Sequence, residues 1–153
     1  MASIQLRPVA ASDLDVFFEH QLDPEALRLG LLTSRERPEF DAHWTRILAD
    51  AVTILRTVES DDIVAGYVTS FLRDGLREVA YWFGREHWGK GIATEALRAL
   101  LAQVTERPLH ARVVVDHIAS RRVLEKVGFS VQARETTVGS SGDAIEEFLL
   151  RLD

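Results

Sequence analysis

The chain has no cysteine, and it contains one methionine and four prolines among 153 residues. Without cysteine it cannot form disulfides, thiolate zinc sites or a thiol nucleophile, and we expect no metal ion. No apolar run approaches the roughly 20 residues that span a bilayer, and the N-terminal sequence MASIQLRPVAASDLD lacks a basic segment followed by an apolar one. We therefore expect a cytoplasmic protein without a membrane partner.

A surplus of positive charge is also missing, because the formal net charge is −6 at pH 7. Nucleic-acid backbones bind basic surfaces, so we expect no nucleic-acid partner. The hydrophobic content of 46% and charged content of 27% are ordinary for a globular protein. The length favours a single domain over residues 1–153, present as a monomer or homodimer.

Hydrophobic residues recur at helical spacing in the first third of the chain and at strand spacing from Val52 onward. This pattern predicts a mixed α/β fold in which a central, mostly antiparallel sheet is flanked by helices. The segment 109–115 is apolar enough to be buried on both faces, which favours parallel pairing. The predicted strands are 3–8, 52–58, 63–72, 76–83, 109–115, 129–138 and 144–152. Five helices are predicted: one that follows Ser12, one over 23–29, one that ends near Asp50, one over 92–104 and one over 116–127.

Three helix starts carry side chains that suit an N-cap. Ser12 and Asp15 have the spacing of a capping box, and Asp23 precedes Pro24, which suits the first helical turn. Asp116 precedes the helix that ends at Gly128. We expect all three side chains to bind free backbone N–H groups.

The stretch from Gly84 to Val104, GREHWGKGIATEALRALLAQV, joins a strand, a glycine turn and an amphipathic helix. The first N–H groups of a helix lack partners and carry a partial positive charge, so the turn from Gly89 to Gly91 suits a phosphate. Two nucleotide motifs nearly match it. Gly91 stands where a P-loop needs Ser or Thr, and Thr94 replaces the third small residue of a dinucleotide fingerprint. On these residues alone, ATP, a dinucleotide or no ligand remain open.

Two segments together resemble the signature of the GNAT acetyltransferases, especially the branch of ribosomal-protein N-terminal acetyltransferases. They are WGKGIATEAL and, some 25 residues later, SRRVLEKVGF from Ser120 to Phe129. The resemblance implies an acetyl-CoA N-acyltransferase fold and acetyl-CoA as cosubstrate, with an amine acceptor that is a protein N-terminus or a small molecule. The implied transfer is direct, in a ternary complex. The alternative is a non-catalytic module that senses acetyl-CoA.

The resemblance also assigns cofactor-binding residues. The backbone of the strand before the loop is expected to bulge, to separate from the next strand and to pair with the pantetheine arm. The phosphate loop is expected to bind the pyrophosphate, and His117 stands where most relatives carry Asn beside the cofactor arm. The residues are Trp82, Phe83 and Gly84 for the arm, Trp88, Gly89, Lys90, Gly91, Ile92, Ala93 and Thr94 for the pyrophosphate, and His117 and Ser120 on the other side of the cofactor.

Attack on a thioester requires a neutral amine. A lysine-like amine with a pKa of about 10.4 costs roughly 4.6 kcal/mol to deprotonate at pH 7, so a general base is useful. We predict Glu78 as that base, Ser120 as the residue that assists the sulfur, and His117 as a third catalytic candidate. Leu124 replaces the tyrosine acid of many relatives, and Tyr81, His87, Glu146 and Glu147 are weaker candidates.

Overall fold

A seven-stranded sheet runs through the computed structural model of the chain, which describes residues 3–153. Its strands lie in the order β1-β2-β3-β4-β5-β7-β6. All neighbouring pairs are antiparallel except β4 with β5, which is parallel. The strands are β1 (Ile4–Arg7), β2 (Ile54–Ser60), β3 (Ile63–Arg73), β4 (Leu76–Phe83), β5 (Leu109–Val114), β6 (Ser130–Val138) and β7 (Ala144–Leu152).

Helices cover both faces of this sheet. One face packs the helices α4 and α5 in a core that includes Leu97, Leu124 and Phe83. The opposite face packs α1 and α3 through an aromatic cluster of Phe17, Phe40 and Trp44. The helices are α1 (Asp13–His20), α2 (Pro24–Gly30), α3 (Arg37–Ala49), α4 (Ile92–Gln103) and α5 (Ile118–Lys126). None of those in residues 3–153 combines the length and apolar composition needed to cross a bilayer.

The predicted fold class, element order and parallel pairing of 109–115 are confirmed. Asp74-Gly75 has the sequence typical of a two-residue hairpin turn, and it forms one between β3 and β4, with positive φ angles of 51° and 80° at the two residues. The sequence did not reveal a short 3₁₀ turn at Arg85–His87. β2 begins two residues later than the prediction, at Ile54.

Two of the three predicted N-caps are wrong. The Asp23 carboxylate accepts a hydrogen bond from Glu25 N at 3.1 Å, as expected. Ser12 makes no capping hydrogen bond, and the helix α5 is preceded by His117 rather than Asp116, again without a side-chain cap. At α1 the backbone of Ser12 is already helical, and the first N–H groups, those of Asp13 and Leu14, donate to the Ala10 and Ala11 carbonyls at 3.0 and 3.2 Å instead.

Strands β4 and β5 separate soon after they meet. Within the described residues their register contains one pair, Glu78 opposite His110. Beyond it, β4 continues to pair with β3 as far as Phe83, while β5 continues to pair with β7 as far as Val114. An opening therefore lies between the C-terminal halves of the two strands. The expected bulge in β4 is absent, since its register with β3 is continuous from Leu76 to Phe83.

A buried ion pair joins α1 to the edge of the sheet. Asp13, which is 2% exposed, accepts two hydrogen bonds from Arg7 at 2.7 and 2.9 Å and a third from Thr57 Oγ1 at 2.7 Å. Burial acts to raise the pKa of Asp13, but the hydrogen bonds from Arg7, Ala10 N and Thr57 outweigh it, so the pKa lies below its usual value. This carboxylate therefore stabilises the fold in its charged form.

Replacing Asp13 with Asn should lower the free energy of unfolding at pH 7 by about 2 kcal/mol, because Arg7 loses the more buried of its two carboxylate partners, Asp13 and Glu59. The difference in free energy of unfolding between wild type and Asp13→Asn should be complete above the unfolded-state pKa of Asp13, about 3.9. It should disappear as pH falls through the lower pKa of Asp13 in the native protein. Urea unfolding between pH 7 and pH 3 measures it. The exposed Asp15→Asn variant, which loses a surface pair with Arg37, should change stability by less than about 0.5 kcal/mol. An Asp13→Asn deficit that does not vary with pH would contradict this role.

Candidate active site

The loop between β4 and α4 forms an open cradle at a helix N-terminus. Gly91 is the N-cap of α4 with φ of 79°, and Gly89 has φ of 70°. A Cβ built at either glycine meets nothing within 4 Å, so the space in front of the loop is free. Gly91 caps the helix with backbone alone, which leaves the first N–H groups of α4 available to an anion. Lys90 is exposed beside them.

Trp88 anchors this loop to the strand before it. Its indole Nε1 donates a hydrogen bond to the Phe83 carbonyl at 3.0 Å. Trp82 lies on the other side of the strand, where its indole donates to His20 O at 3.3 Å. Gly84 has no room for a side chain, because a Cβ there would lie 2.6 Å from His20 Nε2. The loop is thus held in place by the two indoles and by close packing at Gly84.

The N-terminus of α5 faces β4 across the opening between the strands. Ser120 Oγ lies 2.7 Å from Tyr81 Oη, so a hydrogen bond connects α5 to β4 there. Burial raises the pKa of Tyr81 to about 12, although the hydrogen bond with Ser120 acts to lower it. Tyr81 therefore stays protonated at neutral pH.

His117 lies one turn before Ser120, half-buried at the end of β5. Burial lowers the pKa of its imidazole, so the ring is mainly neutral at pH 7. Its buried Nδ1 has no hydrogen-bond partner within residues 3–153. A buried polar atom without a partner is unfavourable, so this nitrogen is suited to binding a ligand in the opening.

An acyl-CoA fits this arrangement: a free helix N-terminus for phosphates, a separated strand edge for an extended arm, and a serine with a phenol partner beside it. The sequence profile described as the acetyltransferase (GNAT) domain matches residues 3–130. The chain belongs to the GNAT acetyltransferase family.

Individual relatives agree with this assignment. The chain is 24% identical to uncharacterized N-acetyltransferase p20 of Bacillus licheniformis, over 82% of this chain and 78% of that protein. Its fold matches that of RimJ from Mycobacterium smegmatis, solved with CoA-disulfide, at a TM-score of 0.80 and 21% identity, covering 97% and 81% of the two chains. It also matches the microcin C7 self immunity acetyltransferase MccE, solved with acetyl-CoA and AMP, at a TM-score of 0.80 and 15% identity, covering 97% and 91%. Acetyl-CoA is therefore the cosubstrate expected of a GNAT enzyme.

Glu78, the general base predicted from the sequence, lies at the closed end of the GNAT opening and is 2% exposed. Its Oε2 accepts hydrogen bonds from Arg73 and Arg112, each at 3.1 Å. Arg112 in turn pairs with Glu135 at 2.5 Å. These contacts favour a structural ion-pair role for Glu78, because both guanidinium groups stabilise the charged carboxylate.

Glu146 and Glu147 lie on opposite faces of β7. Glu146 is exposed and forms an ion pair with Arg134. Glu147 is half-buried and has one hydrogen bond, from Thr137 Oγ1 at 3.3 Å. Since Phe148 packs in the core of the α4/α5 face, the alternation along β7 puts Glu147 on the α1/α3 face, opposite Val114 at the end of β5. This carboxylate has no ion pair among the described residues.

A cavity of about 320 Å³ opens on the α1/α3 face next to Trp82. Trp44 and His43 of α3 both line it. The sequence did not indicate Tyr67 or Arg35, which also line it. Tyr67 lies opposite Trp82 in the register of β3 and β4, and only the fold brings Arg35 to the same place.

Replacing Gly91 with Ala should weaken acetyl-CoA binding about 10-fold or more. The left-handed φ costs an L-residue roughly 1 to 2 kcal/mol and the added methyl group faces the open cradle. Gly75→Ala is a matched control, since Gly75 has φ of 80° and equally open surroundings in a distant hairpin. It should reduce stability similarly without changing affinity. Calorimetric titration of both variants measures this, and equal affinities would refute the phosphate cradle.

Proposed function

We propose that the protein transfers the acetyl group of acetyl-CoA directly to a primary amine within a ternary complex. The observation that carries this proposal is the opening between β4 and β5, which presents the Ser120–Tyr81 pair on one side and the α1/α3 cavity on the other. An acetyl-CoA arm held in that opening separates two environments. The thiol side meets hydroxyl groups, and the acceptor side meets an aromatic cavity.

In the proposed cosubstrate site the pyrophosphate binds the N–H groups of the loop from Trp88 to Thr94, and the arm follows the backbone of Trp82, Phe83 and Gly84. His117 supplies its free Nδ1 to the arm in place of the usual Asn. Three observations support this assignment: the open left-handed glycines, the unpaired edge of β4, and the orphaned imidazole nitrogen.

The amine nitrogen attacks the thioester carbonyl carbon, and the carbon–sulfur bond breaks with its electron pair on sulfur. The proton that the nitrogen loses on becoming an amide passes to the thiolate, which leaves as the thiol. Ser120 donates a hydrogen bond to the departing thiolate, and Tyr81 in turn donates to Ser120. Tyr81 is suited to this role because its raised pKa keeps the phenol protonated. Many relatives carry a tyrosine acid at the position of Leu124 in α5, and here Tyr81 on β4 supplies a phenol instead. The presence of this phenol weakens the case for a non-catalytic sensor.

The acceptor ammonium must lose a proton before attack. Glu147 and Glu78 both lie on the α1/α3 face, but Glu147 has no ion pair within residues 3–153, whereas Glu78 is held by two arginines. Glu147 is therefore the better candidate for this step. Glu147 first pairs with the ammonium and then accepts its proton directly or through water. The cytoplasmic location, single-domain organisation, monomeric or dimeric state and lack of nucleic-acid or membrane partners stay predictions.

Ser120→Ala and Tyr81→Phe should each lower kcat about 10-fold or more, with little change in acetyl-CoA affinity. Because the two hydroxyls act in series, the double variant should be no slower than the slower single variant. Steady-state thiol release measures kcat, and calorimetry checks cofactor binding. Unchanged turnover in either single variant removes that residue from the mechanism.

Glu147→Gln should lower kcat about 100-fold at pH 7, and the loss should shrink toward alkaline pH as more of the amine is neutral in solution. Glu146→Gln, on the opposite face, is the matched control and should retain activity. Glu78→Gln should lower the free energy of unfolding by about 2 kcal/mol, because two arginines lose a charged partner, while folded enzyme keeps its turnover. If instead Glu78→Gln removes turnover and Glu147→Gln does not, Glu78 is the base.

A further inference from the structure

The cavity on the α1/α3 face has aromatic walls built from α1, α3 and the sheet. Trp44 stacks on Phe17 at 5.1 Å between ring centroids and meets Tyr67 edge-on at 4.9 Å. Phe40 and Trp82 complete the walls. The volume of about 320 Å³ is near the lower end of the range for small-molecule sites, so the cavity suits one small ligand with an apolar body.

Three polar side chains in this cavity lack a partner within residues 3–153. They are the Arg35 guanidinium, the Tyr67 hydroxyl and the His43 imidazole, none of which makes a side-chain hydrogen bond or ion pair there. The nearby Arg37, in contrast, is paired with both Asp15 and Asp41. Arg35 is held by its backbone, because Gln21 donates to its carbonyl at 3.0 Å and accepts from its N–H at 2.7 Å. Its charged group is therefore free while its main chain is fixed at the cavity.

The charged groups that act on His43 and Tyr67 are arginines, so the electrostatic potential at these residues is positive. Burial lowers the pKa of His43, and the charges of Arg35 and Arg46 lower it further. Burial raises the pKa of Tyr67 to about 12, and Arg35 acts against that rise. The causes of these two pKa shifts include no carboxylate, although the exposed Glu39 also lines the cavity. This end of the cavity therefore favours an anion and disfavours a second ammonium group.

We propose that the acceptor is a small amine that also carries a carboxylate and an apolar or aromatic body, the chemistry of an apolar α-amino acid. The carboxylate binds Arg35 and the Tyr67 hydroxyl, the apolar body packs between Phe17, Trp44 and Trp82, and the amine is directed to the opening beside Trp82. This inference depends on the proposed acetyl transfer and names its acceptor.

The mouth of the cavity supports a small acceptor rather than a protein N-terminus. Thr33 N donates to Ser140 Oγ at 2.9 Å, and Thr33 Oγ1 lies 3.3 Å from the same oxygen. These bonds join the α2–α3 loop to the β6–β7 turn, and both residues line the cavity. A peptide that continues beyond its first residue needs an exit there, and its first residue carries an amide in place of the carboxylate that would bind Arg35.

The test compares matched acceptors that differ in the carboxylate: phenylalanine with phenethylamine, and leucine with isoamylamine. Spermidine and a tripeptide with N-terminal phenylalanine are added. Wild-type kcat/KM should be about 10- to 100-fold higher for each amino acid than for its decarboxylated partner, as expected of a charged hydrogen bond. Arg35→Gln should bring that ratio close to one and leave the decarboxylated amines nearly unaffected. Arg151→Gln, at the far end of β7, controls for lost charge and should preserve the ratio.

Equal or better turnover of the decarboxylated amines, or a preference for spermidine or the tripeptide, overturns the proposed acceptor while acetyl transfer stands. Calorimetric titration of phenylalanine in the presence of acetyl-CoA separates the two claims. Binding that weakens in Arg35→Gln without any thiol release keeps this site but contradicts the proposed transfer. Failure of both amino acids to bind overturns the inference.

Discussion

The site depends on one constraint, the separation of β4 from β5 after a single register pair at Glu78 and His110. Each strand remains fully paired on its other side, β4 with β3 and β5 with β7. Backbone N–H and C=O groups along the opening therefore lack strand partners, and they need water or a ligand. An extended amide-containing arm is well matched to that need. The opening is thus a consequence of sheet pairing, and the loop, α5 and the cavity are arranged around it.

Ion pairs hold the closed end of the opening. A continuous series of contacts joins Arg73 on β3, Glu78 on β4, Arg112 on β5 and Glu135 on β6, passing over β7, which lies between β5 and β6. Pairs of this kind, when partly buried, fix geometry more reliably than they add net stability, because desolvation offsets much of the attraction. In this structure they lie where the strands diverge. Their contacts favour a positioning role for Glu78, while its role as general base stays a prediction.

The elements of the fold were predictable because their signals are local. Hydrophobic period, the Asp74-Gly75 turn and the glycines at positions 89 and 91 each act within a few residues. The caps at Ser12 and Asp116 were not, because backbone carbonyls already bind the N–H groups there. Asp13 N and Leu14 N donate to Ala10 O and Ala11 O, and Ile118 N donates to Asp116 O. Two features of the site involve residues far apart in the chain: the hydrogen bond between Tyr81 and Ser120, and the cavity that both Arg35 and Tyr67 line. The periodicity of hydrophobic residues carries no information about such pairs. The resemblance to GNAT enzymes did not reveal Tyr81 either, because many relatives carry their tyrosine acid at position 124.

A crystal structure of the complex with acetyl-CoA tests the central claim most directly. The account predicts the pyrophosphate at the N-terminus of α4, the arm between β4 and β5, and the sulfur within hydrogen-bond distance of Ser120 Oγ, with the acetyl group facing the cavity beside Trp82. An acetyl-CoA bound outside the opening, or inside it with Ser120 and Tyr81 remote from the sulfur, would contradict the account.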